Sequence, residues 1–359
     1  MMNLKPNTKF CVLILIIINI VLVESCAFTP ANQMPPDSNI TERFPKATRP
    51  PDPASITPSP TPPLGSTLNP LIFGFVITES LEIDEEALAQ LVSLLSTESN
   101  QNIYVEYYNS YEPLISDIQD GTVHITWLPP QILITLENQR FIKPVLLSNH
   151  FGVYQYSTQI LANIDQGYQS YYDPILNQST ETAAVALAQL DGLRPCWVDS
   201  DSISGYLLPA AIFRENDIEL AEGVITKNPS STIRALIIGG ICDFGATYGG
   251  NGDPRTASSL ADIPDVMEKI EIIWRSDPII PNYTIAFHSD IPDSIQLELK
   301  KSFQTISNSL DGYQLFSAAL GYEINGFEPC GPSTFEPLRK LLDVLNANPE
   351  SAVDDPLEE

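Results

Sequence analysis

The sequence predicts an α/β fold of two lobes, each a mainly parallel sheet flanked by helices. Short apolar runs bounded by turn residues alternate with amphipathic helical stretches, as in strands joined by helical crossovers. About 290 residues remain downstream of the N-terminal segments, enough for two lobes of ordinary domain size. No internal repeat is visible, so the chain does not read as an array.

Lys5 and Lys9 precede an apolar run from Phe10 to Val23, about half a dozen residues short of a bilayer-spanning helix. Residues 1–25 therefore read as a signal peptide. The run closes on "LVESC", where small Ser25 precedes Cys26, which suits a lipoprotein cleavage site with Cys26 as the lipidated first residue. Glu24 is an unusual occupant there. An ordinary secretory signal cleaved nearby, or an uncleaved anchor, remains open, and each reading puts the chain outside the cytoplasm. Residues 26–69 are dense in Pro, Ser and Thr and nearly free of large apolar side chains, so they cannot form a core and read as a tether. At roughly 3 Å per residue, such a segment reaches on the order of 100 Å.

"PLIFGFVIT" reads as a strand and "EIDEEALAQLVSLLSTES" as a helix with Leu88, Leu91, Val92 and Leu95 on one face. Asp84 and Glu85 open that helix as the macrodipole favours. "NIYVEYYNS" is a second strand, "YEPLISDIQDG" a short helix, and "TVHITWLPP" a third strand ending at paired prolines. After "FGVYQYSTQILANI" and a polar stretch, a second lobe begins with the helix "AAVALAQLDG" and the strand "PCWVDS". "STIRALIIGG" follows as a helix, "CDFGATY" as a strand, and "VMEKIEIIWRSDPIIPNYTIAF" as two strand pieces, the second returning to the first lobe. Helices "IQLELKKSFQTISNSL" and "FEPLRKLLDVLNA" close the fold before an acidic tail over 346–359.

Charge and motifs exclude several functions. A formal net charge of −27 argues against nucleic acid and against anionic membrane surfaces as partners, although a merely solubilising surface would carry the same charge. His124, His150 and His288 lack metal-ligand spacing, and there is no nucleophile elbow, Walker loop or dinucleotide glycine motif. Neither catalysis nor a metal or other cofactor is expected. Of five cysteines, Cys196 and Cys242 open two strand patterns that would bring them within disulfide reach as parallel neighbours in an exported protein. Cys330 is left unpaired.

The stretch "VDSDSISGYLLPAA", Val198 to Ala211, has the layout of strand, hydroxyl loop and helix start. Ligands in open α/β sheets bind at such carboxyl strand ends, where helix N–H groups attract anions. Ser202 and Ser204, with the N–H groups of Ser204, Gly205 and Tyr206, suit a tetrahedral oxyanion. A simple helix cap would use the same residue types.

The segments "SYEPLISDIQDGTVHITWLPP", "VDSDSISGYLLPAAIFRENDI", "IIGGICDFGATY" and "IIWRSDPIIPNYTIAF" stand in an order that resembles the PhnD-like phosphonate and phosphate solute-binding proteins of ABC transporters, over roughly 70–345. The resemblance implies a type II periplasmic-binding-protein fold with two hinge strands, crossing near Ala162 and Pro278. First-lobe residues would be 70–162 and 279–345, and second-lobe residues 163–278. It implies an anion site of Ser202, Ser204 and Gly205, with Tyr111 and Tyr156 from across the cleft and Trp127 lining it. Three departures bear on the ligand: Ile203 stands in place of a Thr, Ser230 in place of a His, and Tyr248 in place of the carboxylate that aminoalkylphosphonate binders keep. Asp201 is the awkward change. A carboxylate about 5 Å from an anion, at an effective dielectric near 20, costs on the order of 3 kcal/mol, unless it turns away to cap the helix or accepts a proton from the ligand.

The expected function is that of a monomeric, lipid-anchored receptor outside the cell membrane or in the periplasm, binding a small oxyanion and partnered by an ABC permease. The alternative is a sensory or structural ectodomain that kept the fold and lost anion binding.

Overall fold

The structure is a computed structural model that describes residues 61–77 and 83–346. Cys26, the signal segment and the acidic tail beyond 346 lie outside the described residues. The described chain builds two six-membered sheets, one per lobe.

The first lobe runs β1 (Leu71–Val76), α1 (Glu85–Ser99), β2 (Ile103–Tyr108), α2 (Tyr111–Gln119), β3 (Ile125–Leu128), α3 (Pro130–Asn138) and β4 (Ile142–Asn149). The second takes β5 (Gln155–Asn163), a small hairpin of β6 (Tyr172–Asp173) and β7 (Gln178–Ser179), α4 (Ala183–Ala186), β8 (Pro195–Trp197), α5 (Leu208–Glu215), β9 (Val224–Ile225), α6 (Pro229–Ile238), β10 (Phe244–Gly249), α7 (Val266–Lys269), β11 (Ile270–Arg275) and β12 (Ile280–Pro281). The chain then returns with β13 (Thr284–His288), α8 (Asp293–Ser307), α9 (Leu310–Leu320), β14 (Gly326–Pro329) and α10 (Pro332–Asn346).

Strand order is β14-β4-β13-β3-β1-β2 in one sheet and β11-β5-β10-β8-β9 in the other, with β12 paired to β5. Helix-linked strands are parallel, as the alternation predicts: β1 with β2 and β3, and β8 with β9 and β10. The sheets are nonetheless mixed. The strands that carry the chain from one lobe to the other enter from the opposite end, so β5 and β13 pair antiparallel to all their neighbours.

Three boundaries move. All of β5 belongs to the second sheet, so the first passage between lobes lies at 150–154 and not near Ala162. The second passage likewise moves, since β12 (Ile280–Pro281) still pairs with β5, and lies at 282–283, before β13, a few residues beyond Pro278. The ordered body also begins before Asn69, because Gly65 N–H donates to Asn69 O and Asn102 N–H to Gly65 O, and Leu64 packs on the first-lobe core. The stretch "AAVALAQLDG" forms only the four-residue α4 and a following 3₁₀ turn.

In the first lobe Phe73 and Phe75 of β1 pack with Leu88, Leu91 and Leu95 of α1 and with Phe303 and Phe316. A second apolar cluster crosses between lobes through α10. Its Phe335 and Leu338 join Leu133 and Leu136 of α3 to Leu208 and Phe213 of α5. Polar contacts hold the same helix at both sides: Arg339 pairs with Glu137 of α3, and Arg214 of α5 donates to the carbonyls of Val344 and Leu345 at 3.3 and 2.9 Å.

Cys196 and Cys242 form a disulfide with Cα atoms 5.6 Å apart, beside the parallel β8–β10 pair. Cys330 is free and half-buried, and burial pushes its thiol up to about 12, which keeps it a poor nucleophile. With a sequence separation of 46 between the bridged positions, reduction should lower unfolding stability by about 4 kcal/mol on the loop-entropy relation. Denaturant unfolding with and without reductant, alongside the Cys196→Ser/Cys242→Ser variant, measures that loss.

Candidate functional site

A cleft of about 470 Å³ opens where β5 and β10 of the second lobe meet the first-lobe elements around α3 and β13. Its walls carry Tyr156, Asp201, Ser202, Ser204 and Tyr248 from the predicted set, with Ile203 between the serines.

The second-lobe wall is a π-helical turn, Ile203–Leu207, leading directly into α5. Ser202 O accepts from the N–H groups of both Tyr206 and Leu207, at 3.0 and 2.9 Å, and Ser202 Oγ accepts from Gly205 N–H at 3.1 Å. The turn is pinned from beneath, where Thr158 Oγ1 donates to Ser204 O at 2.6 Å. Only glycine fits at 205, since a Cβ would lie 2.5 Å from Val198 Cβ and 2.8 Å from Ser202 Oγ. Gly205 and Tyr206 thus spend their N–H groups inside the turn and are not ligand donors, contrary to the sequence expectation. What faces outward is the open first turn, with the N–H groups of Ile203 and Ser204 and the serine hydroxyls.

Tyr156, on β5, belongs to the same lobe as the turn and lies within hydrogen-bonding reach of Ser204. It is not across the cleft as the sequence suggested, because all of β5 joins the second sheet. Opposite stand Tyr283 and Tyr322. Tyr111 does not line the cleft; its phenol sits 3.3 Å from that of Tyr283, which does. Trp127 is also behind the wall, 4% exposed, with its ring stacked on Tyr283 at 5.3 Å. Tyr111 and Trp127 are therefore supports for Tyr283. Burial raises the phenols of Tyr111, Tyr156, Tyr248, Tyr283 and Tyr322 above their ordinary value, so all five stay protonated and neutral at physiological pH.

His150 closes one end, stacked on Tyr322 at 3.9 Å. Its Nδ1 is 2.7 Å from Glu323 O, which in the neutral ring makes Nδ1 the protonated nitrogen. Burial lowers its pKa, so this histidine adds no positive charge near neutral pH. No Lys or Arg lines the cleft among the described residues. Any anion here is held by hydroxyl, phenol and N–H dipoles alone.

Asp201 is exposed on the cleft wall, and it is Ser202, not Asp201, that caps the turn. Ser230 lies away from the cleft, its hydroxyl 2.5 Å from Ser259 Oγ. Sequence reasoning missed Gln131, His150, Phe151, Asn251, Tyr283 and Tyr322. Tyr283 alone sat in a stretch already singled out, "IIPNYTIAF", and the others lie in loops and helix starts without periodic signal.

A second cavity of about 870 Å³ adjoins Arg275, Glu181, Glu215 and Asp277. Arg275 does not read as an anion site. Its guanidinium bonds Gln159 Oε1 at 2.6 and 3.2 Å and lies over the Tyr172 ring at 4.6 Å, which clamps the β6–β7 hairpin to the sheet.

The family model for the periplasmic phosphonate substrate-binding proteins of ABC transporters matches residues 73–335. The chain belongs to that family. No curated protein matches it in sequence. Among solved structures it resembles XAC2383 from Xanthomonas citri bound to ATP, at 15% identity and TM-score 0.57 over 79% of this chain and 99% of that one. It also resembles PhnD1 from Prochlorococcus marinus in complex with methylphosphonate, at 14% identity and TM-score 0.50 over 77% and 98%. At such identities the likeness establishes the two-lobed fold. No helix among the described residues is long and apolar enough to cross a membrane.

Asp201→Asn should tighten binding of any dianionic oxyanion this cleft accepts about three- to tenfold, with methylphosphonate under alkaline conditions as the probe. That is less than full Coulomb repulsion because water screens an exposed carboxylate. Isothermal titration calorimetry reads this directly; weaker binding in the variant would show that Asp201 accepts a hydrogen bond from the ligand instead.

Proposed function

We propose that this protein captures a small phosphonate- or phosphate-like oxyanion between its lobes and delivers it to an ABC permease, performing no chemistry. The observation that carries this reading is the Ser202–Ser204 turn, with Tyr156 beside it in the second lobe, facing Tyr283 and Tyr322 of the first lobe across the cleft. It offers converging neutral donors at a helix start, and the family match supplies the transport context. Closing the lobes would bring the second-lobe hydroxyls and the first-lobe phenols onto the same ligand, as hinge-type receptors do.

Neutral donors suit a carrier. They hold a desolvated anion by several hydrogen bonds, and opening the lobes removes half of them at once, so release needs no cation to be displaced. In this account Cys26 carries the lipid and residues 26–60 of the tether let a monomer reach the permease. The sensory or structural alternative rests on Ile203 and Asp201, which remove a hydroxyl and add a charge at the anion turn.

The experiment is a thermal-shift screen with phosphate, phosphite, methylphosphonate, aminoethylphosphonate and sulfate. A phosphorus oxyanion at a hundred times its Kd should stabilise the protein by about 2.7 kcal/mol, and Ser204→Ala should abolish the rise in Tm. If no phosphorus oxyanion raises Tm, the transport reading fails and the receptor has lost the family's ligand.

A further inference from the structure

The cleft is larger than an oxyanion needs, and its surplus has a definite character. About 470 Å³ falls in the range of sites for drug-sized molecules. Beyond the anion turn the walls hold two buried amide oxygens with no hydrogen-bond partner, Gln131 Oε1 and Asn251 Oδ1. Buried polar atoms left unpaired are costly, and both belong to side chains that line the cleft.

At the rim stands Phe151, 55% exposed and lining the cleft. It belongs to a tight turn in which His150 N–H donates to Val153 O at 2.8 Å and Val153 N–H to His150 O at 3.1 Å. Both central residues have positive φ, +48° at Phe151 and +89° at Gly152. Such turns favour Asn-Gly, and a bulky side chain at the first position is strained. A strained, solvent-exposed phenylalanine on the passage between lobes is poor for stability. Its ring lies 4.3 Å from His150, tilted by 55°, and His150 in turn stacks on Tyr322.

Resting on the anion-receptor reading above, we infer that the ligand is an organic phosphate or phosphonate whose far end is a planar, nitrogen-bearing ring, laid against Phe151 and hydrogen-bonded by Gln131 and Asn251. The anion turn takes the phosphorus oxygens and the exposed face of Phe151 takes the plane. The two amides pair the ring's N–H or amino groups.

The test uses calorimetry on the full chain with methylphosphonate, ribose 5-phosphate, and three compounds that add a ring to ribose 5-phosphate: adenosine, uridine and nicotinamide mononucleotides. At least one ring compound should bind about tenfold tighter than ribose 5-phosphate, a gain typical of one aromatic stack. Phe151→Asn, which suits the turn better, should keep or raise Tm while bringing that ratio close to one. Ser204→Ala should weaken every phosphorus compound alike. If methylphosphonate binds and depends on Ser204 but no ring compound exceeds ribose 5-phosphate, or the preference survives Phe151→Asn, the inference is overturned and the anion site stands. If no phosphorus compound binds at all, both fall.

Discussion

On the proposed function, everything at this site follows from the need to hold an anion without a cation. The chain carries a net charge of −27, no Lys or Arg lines its cleft among the described residues, and Asp201 adds a negative charge to the wall. What remains is a set of dipoles whose value depends on fixed direction, because a donor that must first be oriented gives back its gain as entropy. The π-helical turn supplies that fixation. Ser202 bonds three N–H groups of its own turn, Gly205 lets the turn close against Val198, and Thr158 holds Ser204 from the neighbouring strand. The tyrosines are ordered in the same manner, with Trp127 stacked behind Tyr283 and Tyr111 bonded to it.

The fold serves this arrangement by topology. Helix-linked parallel strands deliver loops to one end of each sheet, and the antiparallel β5 and β13 carry the chain between lobes at the level of the cleft. Tyr156 sits at the start of β5 and Tyr283 just before β13, so both passages place a phenol in the site. α10 lies across the outside, with Glu137 and Arg214 engaging it from opposite lobes. Lobe motion must therefore either carry this helix with one lobe or loosen one of those contacts.

Much of the architecture was legible in the sequence because it rests on local pattern. Alternating apolar runs located β1, β2, β3, β8 and β10, and the expectation that Cys196 and Cys242 stand on neighbouring strands follows from that alternation. The mixed sheets were not legible, since strand direction at a lobe crossing depends on where the chain arrives and not on its composition. The β5 boundary was misplaced for the same reason: "YSTQILAN" reads identically in either lobe. Within the site, hydroxyl residues before a helix announced the turn, but the assignment of Gly205 and Tyr206 as donors left out the cap that Ser202 itself makes. Ser202 takes both, its Oγ the Gly205 N–H and its carbonyl the Tyr206 N–H, as the cap of any helix start does. His150, Phe151, Gln131 and Asn251 gave no signal, because tight turns and helix starts have no periodicity to read.

The most direct test is a crystal structure with methylphosphonate bound. The account predicts its oxygens on Ser202, Ser204, Tyr156 and the first-turn N–H groups, with no Lys or Arg side chain within about 4 Å, the usual ion-pair limit. A ligand found beside Arg275 in the second cavity, or in the cleft with a lysine or arginine drawn onto it, would contradict the claim that neutral, pre-oriented dipoles hold the anion.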